Sequence, residues 1–330
     1  MNATSINTRQ KNGKTSVEYS VIVPVYNSEE SLRELFLRTK AIFEKMKLSF
    51  EVVFVEDSGY DNSWEVILRL KKEFPENITA IQLAKNFGQH NAIFCGLNYI
   101  NGDFVITLDD DLQIPPEEIK KLIDKFNECN ADLVYGDLVK KQHSYIRNKG
   151  SEILKNSSKK IDNQAPGKGS SFKLFTRNLA QSILTHRQNF IYIDEILLWY
   201  TKHIDFVDVT HEPRKYQKSN YSLFKLFRLF LNISIYYTKA PLRMIIYGGI
   251  FLSVISFLFG LYFIFRKIVF NVPMGFTSII VTILFSTSII LFSLGVIGEY
   301  LNRMFMVQHK KPAYSIRSIL KRQPPIPSQQ

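Results

Sequence analysis

The sequence predicts an α/β protein in which a doubly wound, mainly parallel sheet is followed by interfacial amphipathic helices and a two-helix transmembrane hairpin. Short β-branched runs alternate with amphipathic stretches from about Glu18 to Gly136, and two long uncharged runs lie between Met244 and Gly298. Alternating strands and helices favour right-handed crossovers and a parallel sheet. Each uncharged run exceeds the roughly 20 residues that cross a bilayer.

Five strands are predicted in the first part of the chain, with helices between them. The strand-like runs are SVIVPV, FEVVFVED, ITAIQL, DFVITLD and DLVYG. Between the first two, SEESLRELFLRTKAIFEKM has apolar residues at helical spacing. The first turn, VPVYNSEE, lacks the G-x-G-x-x-G fingerprint, which disfavours a dinucleotide-dependent enzyme. Ligands are expected beyond the carboxyl ends of the strands.

The pattern changes after the fifth strand. Residues 137–169 are rich in Lys, Asn, Ser and Gln, which predicts a mobile or disordered loop. A short strand in SSFKLF, a helix and the run IDFVDVTHEP follow. The segment Ser222–Tyr237 places Phe, Leu and Ile around two basic residues, which is typical of an interfacial amphipathic helix. An ordinary core helix is the alternative.

The uncharged runs Met244–Phe265 and Ile268–Gly298 predict two membrane spans, with a pair of buried core helices as the alternative. Basic residues are more frequent on both flanks than in the linker, so both termini and the catalytic domain are expected in the cytoplasm. The polar N-terminus does not have the pattern of a signal peptide, and two cysteines fit a reducing compartment. The net charge of +12 is better explained by anionic lipid than by nucleic acid, because much of it flanks the spans.

A carboxylate cluster, ITLDDDLQIPPEEI, follows the fourth strand. In an extended segment Asp109, Asp111 and Gln113 share one face and Asp110 points the other way. Three oxygen-bearing side chains suit Mg²⁺ or Mn²⁺. The alternative is a solvated acidic turn that caps the next helix. The pair Glu56–Asp57 ends the second strand, where a carboxylate can accept an N–H of a nucleotide base or stabilise a turn.

Together these motifs resemble the family-2 glycosyltransferases of the GT-A fold, and more narrowly the polyprenyl-phosphate glycosyltransferases such as dolichol-phosphate mannose synthase and the bactoprenol glucosyltransferases. The matching segments are VIVPVYNSEE, VFVEDSGYDNS, LAKNFGQHNAIFCGLNYINGDFVITLDDDLQIPPE, FKLFTR, HEPRKYQKSNYS and GVIGEYLNRMFMVQHKKPAY. The resemblance implies the following organisation: a disordered tail (1–17), a GT-A catalytic domain (18–220) with a mobile acceptor loop (137–169), interfacial helices (221–241), two transmembrane helices (242–298) and a basic cytoplasmic tail (299–330).

The resemblance also implies a role for each matching residue. These are Pro24, Tyr26 and Glu29 for the nucleotide pocket; Asp57 for the base; Asp109, Asp111 and Gln113 for the metal and diphosphate, with Asp110 in the donor site; Arg214 for the donor phosphates, with Ser219 close by; and Lys173 and Arg177 near the acceptor phosphate. Three positions depart from the family pattern. They are Gln217 in place of Gly, Ser171 in place of Asp, and Lys173 in place of Arg.

The resemblance implies an inverting transfer from a nucleotide sugar, a UDP-sugar above all, to polyprenyl (undecaprenyl) phosphate, with Mg²⁺ or Mn²⁺, for cell-envelope glycan synthesis or modification. A phosphate acceptor is already an anion near neutral pH and needs no strong base. The alternative acceptor is a hydroxyl of a saccharide or another lipid, with Asp194 or Glu195 as base. Those two residues otherwise form an acidic helix start. A catalytically inactive scaffold and a processive synthase are disfavoured, because D-x-D-x-Q is present and Q-x-x-R-W is not. A homo-oligomer is a further possibility.

Overall fold

The computed structural model describes residues 17–129, 131–138, 170–185, 192–213, 275–308 and 312–323, with scattered residues between 247 and 270. The described residues fall into two compact units. Those within Met1–Ser219 and Pro312–Gln330 form the first, and those within Asn220–Lys311 form the second. Several predictions lie outside the described residues: the tail 1–16, most of the loop 137–169, and the segment 214–246 with Arg214, Gln217, Ser219 and the helix Ser222–Tyr237.

The first unit contains a mixed sheet with helices between its strands. Its strands are β1 (Tyr19–Val25), β2 (Phe50–Glu56), β3 (Ile78–Leu83), β4 (Phe104–Thr107), β5 (Leu133–Leu138), β6 (Lys173–Thr176), β7 (Ile204–Val209) and β8 (Ile316–Leu320). Its helices are α1 (Leu32–Met46), α2 (Ser63–Glu73), α3 (Gln89–Leu97), α4 (Ile119–Glu128), α5 (Arg177–Leu184) and α6 (Ile193–Tyr200), with a 3₁₀ turn at Pro116–Glu118.

The eight strands form one sheet in the order β7-β5-β6-β4-β1-β2-β3-β8. The pairs β1–β2, β1–β4, β2–β3 and β5–β7 are parallel. The pairs β3–β8, β4–β6 and β5–β6 are antiparallel. The α/β sheet is confirmed, and the carboxyl ends of β1, β2 and β4 meet at one edge because these strands run in the same direction.

The centre of the sheet is buried on both faces. Every residue of β1 and β2 is buried, as expected for parallel strands covered by helices on either side. Helix α1 buries Leu32, Leu35, Phe36 and Phe43 at helical spacing. The ring of Phe43 stacks on that of Phe50 at 4.8 Å between centroids. These contacts hold the loop that connects β1 to α1 against the sheet.

Two strands have positions that the sequence pattern did not predict. Strand β6 lies between β4 and β5 and runs antiparallel to both, so the sheet reverses direction there. Strand β8 lies within the predicted basic tail and pairs with the exposed edge of β3. Both are short segments, and a short apolar run carries no local signal for its partner strand or its direction.

The second unit contains a long apolar helix, α7 (Phe276–Gln308). Within it, Phe285–Asn302 has a mean hydropathy of 1.2 and no buried residue. In the part of the chain that the structure describes, α7 is the one helix long and apolar enough to cross a membrane. The other predicted span, Met244–Phe265, is described at scattered residues only. The two-helix hairpin therefore remains a prediction.

Candidate active site at the carboxyl ends of the strands

The loops that follow β1 and β2 are tied together by side-chain hydrogen bonds. Asn27 has a positive φ of 55°, and its Oδ1 accepts the backbone N–H of Tyr60 at 2.7 Å. Glu29 Oε2 accepts the backbone N–H and the side-chain amide of Asn62, both at 2.9 Å. The backbone N–H of Glu29 donates to Asp61 Oδ2 at 2.9 Å. In this structure the carboxylate of Glu29, which was predicted to line the nucleotide pocket, connects the two loops.

Pro24 and Tyr26 lie where β1 leaves the sheet. The pairing of β1 with β4 ends at Ile22 opposite Thr107, so Pro24 lies beyond the last β4 residue. A proline is tolerated there because that side has no further ladder bond to lose. The side chain of Tyr26 is 40% exposed beside this strand end. Both residues are therefore at the edge where ligands of such sheets bind.

Asp57 follows β2 and its carboxylate holds the start of α3. Oδ1 accepts the backbone N–H of Phe87 and Oδ2 that of Gly88, each at 2.7 Å. Burial raises the pKa of Asp57 from 3.8 to about 6, and the two N–H donors oppose that rise. The sequence predicted a contact with the nucleotide base. The structure shows that this carboxylate also fixes the loop between β3 and α3.

The aspartate run after β4 forms a turn rather than an extended segment. Strand β4 ends at Thr107, and Leu112 has a positive φ of 57°. Asp111 Oδ1 accepts the backbone N–H of Gln113 at 3.1 Å, which closes the turn. The expected alternation of faces from Asp109 to Gln113 is therefore wrong in its local geometry, because alternation requires extended backbone.

Asp109 and Asp110 point to different neighbours within this turn. Asp110 Oδ2 accepts the backbone N–H of Tyr26 at 2.9 Å and the hydroxyl of Ser28 at 2.5 Å. Asp109 accepts the amide of Gln89 at 2.6 Å on Oδ1 and the hydroxyl of Ser171 on Oδ2. Burial raises the pKa of Asp109 to about 6 and that of Asp110 to about 7. Asp110 thus ties β4 to the β1 loop.

The oxygen-bearing side chains at this turn suit a hard divalent cation whose remaining coordination positions are filled by a bound ligand. Burial is the main cause of the raised pKa values of Asp109 and Asp110. The charge of Asp111 adds to both rises, and the charge of Asp109 adds to that of Asp110. A cation would relieve this repulsion. Among the described residues, no group of three or more His, Cys, Asp or Glu side chains is arranged to hold a metal. Mg²⁺ sites often use one or two carboxylates and leave the remaining positions to water and phosphate oxygens. Gln113 would add a neutral oxygen.

Lys173 and Asp194, which the sequence placed in separate roles, form a buried ion pair. Lys173 is 1% exposed at the start of β6, and its Nζ donates to Asp194 Oδ1 at the start of α6. The hydroxyl of Tyr135 donates to the same oxygen at 3.2 Å. The ammonium also lies 5.5 Å from the centroid of the Tyr135 ring. Glu195 is half-buried in the first turn of α6.

Arg177 does not lie with Lys173, although the resemblance implies that both are near the acceptor phosphate. Strand β6 runs antiparallel to β4, with Lys173 opposite Thr107 and Thr176 opposite Phe104. Arg177 follows β6 at the amino end of β4, where its guanidinium donates to the carbonyl of Asn101 at 2.9 Å. The four residue steps from Lys173 to Arg177 span about 13 Å along the chain. The two side chains therefore lie near opposite ends of β4.

Sequence reasoning missed four residues that contact the site. Gln89 and Ser28 bind aspartates of the turn, and Tyr135 binds Asp194. His90 packs its ring 4.6 Å from that of Tyr192, and burial lowers its pKa to about 4, so it is neutral. A signal existed for Gln89 and His90, because NFGQH follows the third strand and the carboxyl ends of parallel strands share an edge.

Comparison with known proteins identifies the family of the chain. The family model described as "Glycosyl transferase family 2" matches residues 20–184. An undecaprenyl-phosphate 4-deoxy-4-formamido-L-arabinose transferase from Photorhabdus laumondii is 30% identical over 305 residues, covering 91% of this chain and 94% of that protein. The chain belongs to glycosyl transferase family 2. It is accordingly a glycosyltransferase, and the matched region contains the strand ends described above.

A second relative of this family-2 glycosyltransferase, with the same name, comes from Shewanella sediminis. It is 31% identical over 307 residues, covering 91% of this chain and 92% of the relative. Two solved structures are similar at 14% identity and a TM-score of 0.48. One is glucosyl-3-phosphoglycerate synthase from Mycobacterium tuberculosis in complex with Mn²⁺, uridine diphosphate and phosphoglyceric acid, covering 66% of this chain and 76% of that one. The other is mannosyl-3-phosphoglycerate synthase from Rubrobacter xylanophilus, covering 71% and 75%.

Proposed function

We propose that this family-2 glycosyltransferase moves a sugar from a UDP-sugar to undecaprenyl phosphate at the cytoplasmic face of a membrane. One observation carries the proposal. The similarity to two transferases named for undecaprenyl phosphate covers 91% of this chain and is not confined to the family domain at residues 20–184. The acceptor resides in a membrane, and α7, which is long and apolar enough to cross one, supports the same conclusion.

The donor binds at the carboxyl ends of β1, β2 and β4. Pro24, Tyr26 and Glu29 line the nucleotide side, with Asp57 facing the base. In the turn after β4, Asp109, Asp111 and Gln113 would hold Mg²⁺ or Mn²⁺. When bound, the cation neutralises charge on the departing diphosphate. The proximity of the Asp109 and Asp111 carboxylates, two residues apart in one turn, supports a cation there.

The acceptor phosphate attacks the anomeric carbon from the side opposite the diphosphate. A new C–O bond forms to the acceptor phosphate, the bond to the donor diphosphate breaks, and configuration inverts. Lys173, which is buried at the start of β6, contributes to the acceptor phosphate site through its charge, and Arg214 with Ser219 contacts the donor phosphates. No proton is removed in this step, so no side chain serves as general base. The engagement of Asp194 with Lys173 supports this mechanism over a hydroxyl acceptor.

The chain is anchored by two membrane spans within residues 242–298, preceded by interfacial helices at 221–241. The catalytic domain, residues 18–220, and both termini lie in the cytoplasm. Helix α7 supports the second span, and the basic flanks support the orientation. The product serves cell-envelope glycan synthesis or modification.

The test is transfer by the purified full-length chain in detergent or vesicles with undecaprenyl phosphate. A panel of radiolabelled nucleotide sugars, including UDP-4-deoxy-4-formamido-L-arabinose, is supplied with Mg²⁺ or Mn²⁺. We expect label from one donor in the organic phase, released by mild acid as from a sugar phosphodiester. An acid-stable glycoside, or label that forms without undecaprenyl phosphate, would refute the proposed acceptor. Two control acceptors are matched to undecaprenyl phosphate. Undecaprenol has the same chain without the phosphate, and dolichol phosphate has the phosphate on a different polyprenyl chain.

A further inference from the structure

Three elements converge on one buried cation in the first unit. Lys173 begins β6, Tyr135 lies in β5 and Asp194 lies in the first turn of α6. Lys173 is 1% exposed and Asp194 is 9% exposed, so water screens the pair poorly. A buried ammonium without a partner is strongly unfavourable, whereas a paired and hydrogen-bonded one is tolerated.

The carboxylate of Asp194 is already committed to its neighbours. Its Oδ1 accepts from both Lys173 Nζ and the Tyr135 hydroxyl. A general base needs an oxygen directed at the proton that it removes, with a pKa near the working pH. Because two donors already occupy Oδ1, that oxygen is directed at Lys173 and Tyr135 and not at a substrate proton.

The pair lies beside the aspartate turn. Lys173 is opposite Thr107, the last residue of β4, in the β4–β6 register. Thr107 Oγ1 donates to the carbonyl of Ser171, and Ser171 Oγ donates to Asp109. Lys173 therefore has a fixed place next to the candidate donor site.

We propose that Asp194 is a positioning residue that acts through Lys173. Together with Tyr135 it holds the ammonium beside Asp109, where the acceptor phosphate meets the donor, and it removes no proton. This inference rests on the proposed function. It assigns Asp194 and Tyr135 to acceptor positioning, and it explains why an acidic residue is present at the start of α6 in an enzyme whose acceptor needs no base.

A double-mutant cycle tests the inference in the full-length chain. The variants are Lys173→Met, Asp194→Asn and the double variant, and the measurements are kcat, acceptor KM and the melting temperature. Asp194→Asn should raise the acceptor KM about tenfold and lower the melting temperature, because Lys173 loses its counter-ion. In the Lys173→Met background, Asp194→Asn should leave kcat and KM unchanged and recover the melting temperature. Asp194→Glu should restore most of the wild-type KM.

A general-base role of Asp194 would give a different result. A loss in kcat of about 100-fold or more on Asp194→Asn in both backgrounds indicates a general base and overturns the inference. If Asp194→Asn does not fold, Tyr135→Phe decides, because it removes one hydrogen bond to Asp194 and leaves no unpaired charge. A raised acceptor KM at constant kcat supports positioning, and an unchanged KM overturns it.

Two controls separate this inference from the proposed function. The partly exposed pair Lys125–Asp205, 3.3 Å apart, provides matched variants, Lys125→Met and Asp205→Asn, that should change neither KM nor kcat. If the wild-type chain makes no product from undecaprenyl phosphate, the proposed function fails. If wild type is active and the cycle shows independent losses, only the inference about Asp194 fails.

Discussion

Three successive aspartates after β4 have different surroundings, although their chemistry is the same. Asp110 accepts from Tyr26 and Ser28 and joins two loops. Asp109 accepts from Gln89 and Ser171, and Asp111 accepts the backbone N–H of its own turn. The different neighbours follow from the turn, which directs each side chain to another element. At the residue scale, Asp110 has a structural function, and Asp109 with Asp111 provides the candidate cation site.

Asp111→Ala should reduce transfer by about 100-fold or more and weaken Mn²⁺ binding, because the cation loses one of its carboxylates. The chain should keep its fold and its membrane association, since the side chain of Asp111 is only partly buried. Electron paramagnetic resonance of Mn²⁺ measures binding apart from activity. Asp103→Ala, an exposed aspartate at the other end of β4, is the matched control. Full activity of wild type in excess chelator would contradict the metal role.

Asp57 makes stability depend on pH in a defined direction. Its folded pKa is raised to about 6 from 3.8, so the native state binds more protons than the unfolded state between those values. The free energy of unfolding therefore falls as pH rises from about 4 to 6, by about 3 kcal/mol from this group, and is constant above. Asp57→Asn should remove this slope and should raise the donor KM, because the amide nitrogen cannot accept the N–H of Phe87 or Gly88.

Melting temperatures of wild type and Asp57→Asn across pH 4 to 7.5, compared at each pH, measure this contribution. The comparison cancels the other titrating groups. Parallel curves for the two proteins would show that Asp57 has an ordinary pKa in the folded chain.

At the element scale, helix α3 connects the sheet to the candidate site. Gln89 in its first turn binds Asp109, and Asp57 holds the backbone just before it. Its other end is fixed by the segment before β8, where Tyr314 accepts the side-chain amide of Asn98 at 3.1 Å. The position of Asp109 therefore depends on how closely α3 packs against the sheet.

Gly96→Ala should disturb this packing. A Cβ at Gly96 would lie 2.8 Å from Ile22 Cγ2 and 3.3 Å from Val55 Cγ2, in the centre of the sheet. We expect a loss of about 1–3 kcal/mol in the free energy of unfolding from overpacking, and reduced kcat through displaced Gln89. Gly295→Ala in α7 is the matched control, because no atom lies within 4 Å of its added Cβ. Thermal melting and initial rates of both variants provide the measurement, and equal stability of the two would contradict the packing argument.

The whole molecule combines a sheet domain with an apolar helix. Helix α7 has 33 residues, or about 50 Å at the α-helical rise, which exceeds the roughly 30 Å of a hydrocarbon core. Exposed side chains along it include Phe285, Phe292 and Leu301. A surface of this kind is unfavourable in water and suits lipid. Helix α7 is therefore a candidate membrane span.

Cysteine labelling tests the proposed topology. A cysteine placed at Asn271 should react with an impermeant maleimide in intact cells, since the short linker between two spans would face outward. Cysteines at Ser5 and Ser328 should react only after the membrane is opened. The wild-type chain is the background control, with Cys95 buried in the first unit. Labelling of either terminus in intact cells would rule out two spans with cytoplasmic ends.

Local pattern in the sequence was enough for the elements and for part of the site. The alternation from β1 to β4 was predicted because apolar periodicity depends on neighbours a few residues apart. The D-x-D-x-Q run and Asp57 were located at strand ends for the same reason. The apolar run within α7 was visible from composition alone.

Tertiary structure decided the strand order, the antiparallel insertion of β6 and the addition of β8 at the far edge. It also decided that Lys173 pairs with Asp194, that Arg177 lies at the amino end of β4, and that Gln89 binds Asp109. These arrangements join residues that are distant in sequence. Their free energy comes from burial and pairing in the folded chain, so no local pattern records them.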